Sequence, residues 1–142
     1  MRQVYAWIVD EAGRVLLIGT PGGWNLPGGT PEPDDADWEA TLRREVLEEA
    51  DITLRDVAPL GYQEVRVDGA MPFAQLRVAA RVREWREATP DPDNGLVYSR
   101  VWVSLDKAVG LLGWGASGMA QAAAAAQVAR DVYGFAAVPT IP

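Results

Sequence analysis

The chain has 142 residues, 49% hydrophobic and 23% charged, which is enough for a buried core in one domain of ordinary soluble composition. It contains no cysteine and no histidine, which excludes disulfides, thiolate and imidazole metal sites, cysteine nucleophiles and serine–histidine triads. The net charge of −7 lies entirely within residues 32–51, where nine acids meet two bases, while the rest of the chain is balanced. This local acid excess argues against a basic footprint for duplex nucleic acid. No apolar run approaches the roughly 18 residues of a spanning helix, and no charged-then-apolar leader opens the sequence. The expectation is a single cytoplasmic domain over residues 1–142, with no membrane partner.

In chain order, Val4–Val9 and Val15–Ile18 read as strands joined by the turn-rich Asp10-Glu11-Ala12-Gly13. A glycine- and proline-rich loop spans Thr20–Asp34. The pattern then predicts a helix over Asp37–Ala50, with Asp34 or Asp35 placed to cap it. Strands are expected near Ala58–Val67, Phe73–Val82 and Val97–Val103, with a loop at Thr89–Gly95 between the last two. An alanine-rich helix from about Gly118 to Tyr133 is expected to stop at Gly134. Strands mixed with two helices suggest a mixed sheet between helices, an α/β (α+β) sandwich.

The acidic helix carries the strongest chemical signal. Arg44-Glu45-Val46-Leu47-Glu48-Glu49 places Glu45, Glu48 and Glu49 at i, i+3 and i+4, within one turn. Glu45 and Glu49 border the apolar stripe of Trp38, Leu42, Val46 and Ala50. Carboxylates in the last turns oppose the helix dipole, and like charges at i,i+4 add to the cost. Arg44 can offset part of it by reaching Glu48. A solvated acidic face is the ordinary meaning of a charge run. It explains neither the position beside the stripe nor the accumulation at the unfavourable helix end. A bound hard cation explains both, because Mg²⁺ takes a few carboxylates together with waters and substrate phosphates. Ahead of the helix, Trp24-Asn25-Leu26-Pro27-Gly28-Gly29 forms a loop whose glycines let a ligand or ion approach the backbone.

Taken together, Pro27-Gly28-Gly29 and Arg44-Glu45-Val46-Leu47-Glu48-Glu49 resemble the Nudix box. That pattern runs glycine, five residues, glutamate, seven residues, Arg-Glu, an apolar residue, any residue, Glu-Glu, any residue, glycine. Two positions depart from it. Counting from Gly29 puts Asp35 at the first glutamate position, whereas counting back from Arg44 puts Ala36 there, so the chain has an extra residue between loop and helix. Asp51 stands where the box has its closing glycine; aspartate tolerates a left-handed backbone less well.

The resemblance implies an α/β/α sandwich and a hydrolase cleaving the diphosphate linkage of a nucleoside diphosphate joined to another moiety. Nucleoside triphosphates, nucleotide sugars and dinucleotides all qualify as the small-molecule substrate. It implies Mg²⁺, with Mn²⁺ as the substitute, held by Glu45, Glu48, Glu49 and the Gly29 carbonyl. Either Glu49 or Glu48 then orients or deprotonates the attacking water, with Arg44 fixing Glu48. A further loop carboxylate would come from Glu84, Glu87, Asp91 or Asp93. Gly28 and Gly29 shape the substrate pocket. Of six tryptophans, most are expected in the core, with Trp24 nominated to stack a base and Trp114, in an exposed loop, as the alternative. The competing reading is a non-catalytic Nudix-like module that senses a nucleotide or binds a protein.

Overall fold

The computed structural model describes residues 3–141. Two sheets form: Gln3–Ile8 (β1), Gly28–Gly29 (β4), Ile52–Val65 (β5) and Phe73–Trp85 (β6) pair in the order β4-β1-β6-β5. Arg14–Thr20 (β2), Gly23–Asn25 (β3) and Ser99–Ser104 (β7) pair as β3-β2-β7. Strand β1 runs parallel to β6 and antiparallel to β4, so the larger sheet is mixed, as expected. The expected single sheet is instead divided in two, linked by the isolated Val9–Val15 bridge. The turn at Asp10–Gly13, with Gly13 at φ 78°, redirects the chain there.

Alternation along the strands builds a core on each face. Val4, Ala6 and Ile8 of β1, with Leu16 and Ile18 of β2, pack with Leu42, Val46 and Ala50 of the helix Trp38–Ala50 (α1). Trp7 and Val9, with Val15 and Leu17, face the opposite layer of Leu105–Leu112 (α2) and Gly115–Asp131 (α3). There Ala122, Ala125, Ala126 and Ala129 are fully buried, their small side chains bringing α3 close to the sheet. A sheet layer with helices on both faces is the expected sandwich. No helix among the described residues is long and apolar enough to cross a membrane.

Several details differ from the sequence reading. Strand β5 starts at Ile52, directly after α1, because its first turn of chain buries Ile52 and Leu54. Helix α2 was not expected: only eight residues long, it is stabilised by burying Leu105, Ala108 and Leu112 rather than by propensity. Helix α3 begins at Gly115 and ends at Asp131, so Gly134 lies beyond its cap, Val132. Neither Asp34 nor Asp35 caps α1. Asp37 does, its carboxylate accepting from the Ala40 N–H at 2.8 Å. Of the tryptophans only Trp7 is fully buried, and Trp24 and Trp85 are exposed; an indole at a sheet margin keeps an apolar body against the fold and an edge in water.

Candidate active site

The site forms where the C-terminal half of α1 meets the edge strand β4. Gly28 has φ 152°, and a Cβ there would stand 2.1 Å from the Val4 carbonyl oxygen, so only glycine permits the pairing with β1. A Cβ on Gly29 would stand 2.5 Å from the Glu45 carboxyl carbon. The missing side chains let α1 lie against the loop backbone. In that position the Gly28 N–H donates to Glu49 Oε1 at 2.9 Å.

Arg44 organises the acidic side. Its Nε and Nη2 donate to the two oxygens of Asp35 at 3.0 and 2.9 Å, a bidentate pair. Nη1 reaches Glu45 Oε1 at 3.0 Å and Glu48 Oε2 at 3.3 Å, and Nη2 also donates to the Thr30 carbonyl at 3.0 Å. Thr41 donates its hydroxyl to Asp35 at 2.8 Å. These hydrogen bonds, the Arg44 one foremost, hold the Asp35 carboxyl far below the usual range. Arg44 therefore does more than fix Glu48; it ties the loop to the helix. Asp35, not Ala36, occupies the position facing Arg44, and the extra residue is absorbed before the Asp37 cap.

Burial raises the carboxyls of Glu45, Glu48 and Glu49. Glu49 is pushed up to about 8, by desolvation first and then by the charges of Glu45, Asp91 and Glu48, against the lowering effect of the Gly28 N–H. Asp91 and Asp93 act on this cluster from the loop between β6 and β7. They are thus the loop carboxylates the structure brings to the site; Glu84 and Glu87 exert no such influence there.

The loop is held by Asp51. This residue adopts the left-handed conformation expected of the box glycine, with φ 54°. Its carboxylate accepts from the Thr89 N–H at 2.8 Å and the Thr89 hydroxyl at 2.6 Å, and its carbonyl accepts from the Arg86 N–H at 2.9 Å. No sequence pattern marks this tether, whose partners stand far apart in the chain.

As placed, no three carboxylates among the described residues converge at metal distance. The donor set nevertheless fits a hard divalent cation. All its donors are oxygens, and Glu45, Glu48 and Glu49 are crowded and desolvated, a state that added positive charge relieves. Arg44 supplies the only cation in contact with Glu45 and Glu48 among the described residues.

Beside the cluster, Tyr5 carries one wall of an open pocket of about 340 Å³. Burial raises its hydroxyl pKa, and the charge of Glu49 adds to that. Trp24 and Trp114 line the same pocket, so both nominated stacking residues meet there. Trp114 is half-buried at the start of α3 rather than in an exposed loop.

Comparison with known proteins fits this geometry. No curated protein matches the chain by sequence. The structure is similar to a NUDIX hydrolase from Nitrosomonas europaea (TM-score 0.60, 22% identity, 78% of this chain and 76% of that one). It is also similar to the E. coli ORF135 protein in solution (0.62, 23%, 92% and 90%). A third likeness is to the C. elegans Ap4A hydrolase (0.60, 20%, 83% and 90%). The family model for the NUDIX domain matches residues 1–125. The chain belongs to the NUDIX family, whose hydrolases generally use divalent metal ions, and as an enzyme it is of the Nudix pyrophosphohydrolase type.

Proposed function

We propose that the chain, acting as one catalytic domain in the cytoplasm, is a Mg²⁺-dependent hydrolase of the diphosphate linkage in a small nucleoside diphosphate derivative. The observation that carries the reading is Glu49: a half-buried carboxyl fixed at 2.9 Å by the Gly28 N–H, amid the charges of Glu45, Glu48 and Asp91 and next to a pocket walled by aromatic rings. Glu45, Glu48 and Glu49 with the Gly29 carbonyl would hold the metal, with Asp91 and Asp93 at the margin. The bound metal supplies charge neutralisation at the diphosphate and lowers the pKa of a coordinated water.

The protein's own groups do the rest. The Gly28 N–H orients Glu49, leaving its other oxygen to accept a proton from a water near it. Near-neutral proton affinity suits a carboxylate for that task. Arg44 keeps Glu45 and Glu48 in place and anchors the loop through Asp35 and Thr30. Trp24 and Trp114 offer ring faces to the base, and Tyr5 separates the base pocket from the acidic cluster.

Formation of the nucleoside monophosphate from nucleoside triphosphates, nucleotide sugars and dinucleotides, with Mg²⁺ or Mn²⁺, tests the proposal. Turnover of one class that disappears in EDTA is the expected result. Calorimetry should show Mg²⁺ or Mn²⁺ binding that is lost in the Glu45→Gln/Glu49→Gln double variant. Nucleotide binding without any turnover would instead identify a sensing module.

A further inference from the structure

Arg77 of β6 is only 6% exposed, and no carboxylate among the described residues forms an ion pair with it. Its Nε donates to Gln121 Oε1 at 3.1 Å and its Nη2 to Gln75 Oε1 at 2.7 Å. Nη1 is buried without a hydrogen-bond partner. Burial lowers the pKa only to about 10, so the guanidinium is charged at neutral pH. Two aromatic rings stand where a counter-ion would be expected. The Tyr5 centroid is 5.0 Å from the guanidinium and the Trp114 centroid 4.8 Å. Both rings wall the pocket of about 340 Å³ beside the acidic cluster.

A buried cation without a counter-charge is costly, and an apolar side chain of similar size would avoid that cost. Locally unfavourable charges of this kind persist where they serve a site. The two rings also need holding. Trp114 stands between Gly113 and Gly115, at φ 69° and 60°, and precedes α3 without a capping hydrogen bond from its side chain. Neither the Trp114 indole N–H nor the Tyr5 hydroxyl has a partner among the described residues. No hydrogen bond of their own therefore orients these rings. The guanidinium is itself fixed, because two glutamine oxygens set its plane. Gln121 Nε2 donates in turn to Ser117 at 3.0 Å, and the Gln75 amide to Gln3. A fixed cation attracts the face of an aromatic ring most strongly when both are out of water.

We propose that Arg77 is a positioning residue of the base pocket, its guanidinium holding Tyr5 and Trp114 in place as walls and acting through those rings rather than on the ligand. This role rests on the nucleotide reading above and says what keeps the base site in shape. Arg77 ties β6 to β1 and to the start of α3, whereas Glu45, Glu48 and Glu49 stand on α1, to which it makes no hydrogen bond. Losing the cation should loosen the grip on the base and leave the diphosphate end of the site intact.

Calorimetry with adenosine, guanosine, cytidine and uridine monophosphates, and separately with inorganic pyrophosphate and Mg²⁺, tests the role. Arg77→Met should weaken the tightest-binding nucleotide at least ~5-fold, the scale of a desolvated cation–π contact. Pyrophosphate, which has no base, should bind that variant within ~2-fold of the wild type, as for independent sites. Arg77→Lys returns a cation to the rings and should recover most of the nucleotide affinity. Trp114→Leu supplies the coupling test: in that background Arg77→Met should cost clearly less than it does alone, because one wall it holds is gone. Fully additive losses would overturn the inference. So would equal weakening of nucleotide and pyrophosphate in folded Arg77→Met, which is what a purely structural role gives. If a melting curve shows Arg77→Met unfolded, Arg77→Lys decides: near-wild-type nucleotide affinity is expected, and a ~5-fold loss overturns the role. A wild-type chain that binds none of the nucleotides would strike the nucleotide reading itself, and this role with it.

Discussion

The carboxylate of Asp51 and the backbone and hydroxyl of Thr89, 38 residues apart, form a two-point clamp between the end of α1 and the loop carrying Asp91 and Asp93. Glycine at this position would relieve the left-handed backbone, by about 1 kcal/mol, but would release the loop. Two hydrogen bonds to a charged group outweigh that gain at roughly 1.5–3 kcal/mol each. Asp51→Gly is therefore expected to lower stability by about 2–5 kcal/mol and to weaken metal binding as the loop carboxylates loosen. Urea unfolding and metal calorimetry on the same variant check the two effects.

Glu49 should matter far more to turnover than to folding. Glu49→Gln keeps the shape and can still accept from the Gly28 N–H, while replacing a carboxyl whose ionisation is opposed by desolvation and by Glu45, Asp91 and Glu48. Metal-free protein is expected to melt at or slightly above the wild-type temperature. Turnover should fall at least ~10²-fold, as for loss of a positioned acid–base group. Melting in EDTA beside turnover at saturating Mg²⁺ tests both halves; a lower melting temperature with near-normal turnover would make Glu49 structural.

The same carboxyl gives metal-free stability a pH dependence of definite sign. An acid whose folded pKa lies above its unfolded value binds more protons in the native state, so stability falls as pH rises between the two values. For Glu49 the window runs from the model-peptide value of 4.5 up to about 8. In EDTA the wild-type chain should melt a few degrees lower at pH 8 than at pH 5.5, and Glu49→Gln should flatten that slope. An equal slope in both proteins would place the titration elsewhere.

Asp37 and Asp35, two residues apart, should separate cleanly by experiment. Asp37→Ala removes the α1 cap and is expected to cost about 1 kcal/mol with little change in turnover. Asp35→Asn leaves that cap intact but breaks the charged half of the bidentate pair with Arg44. Arg44 is then held chiefly by Glu45 and Glu48, where it competes with a metal ion. Apparent Mg²⁺ affinity should therefore drop in Asp35→Asn and not in Asp37→Ala, a contrast that calorimetry resolves.

Local pattern alone determined the strands of alternating apolar residues, the acidic helix and the spacing of Glu45, Glu48 and Glu49, because each depends on periodicity within a few residues. The resemblance to the Nudix box rests on the same short-range spacing, and the family match agrees with it. What lay beyond sequence depends on partners distant in the chain. Helix α2 is too short to announce itself and exists through the core it covers. The choice of Asp37 over Asp35 as the cap turned on where Arg44 reaches, and Asp91 over Glu84 on where Thr89 is tied. Arg77 reads in sequence as one more strand arginine. Only the packing of β1, β6 and α3 takes it out of water, commits two of its nitrogens to glutamines and leaves the third without a partner.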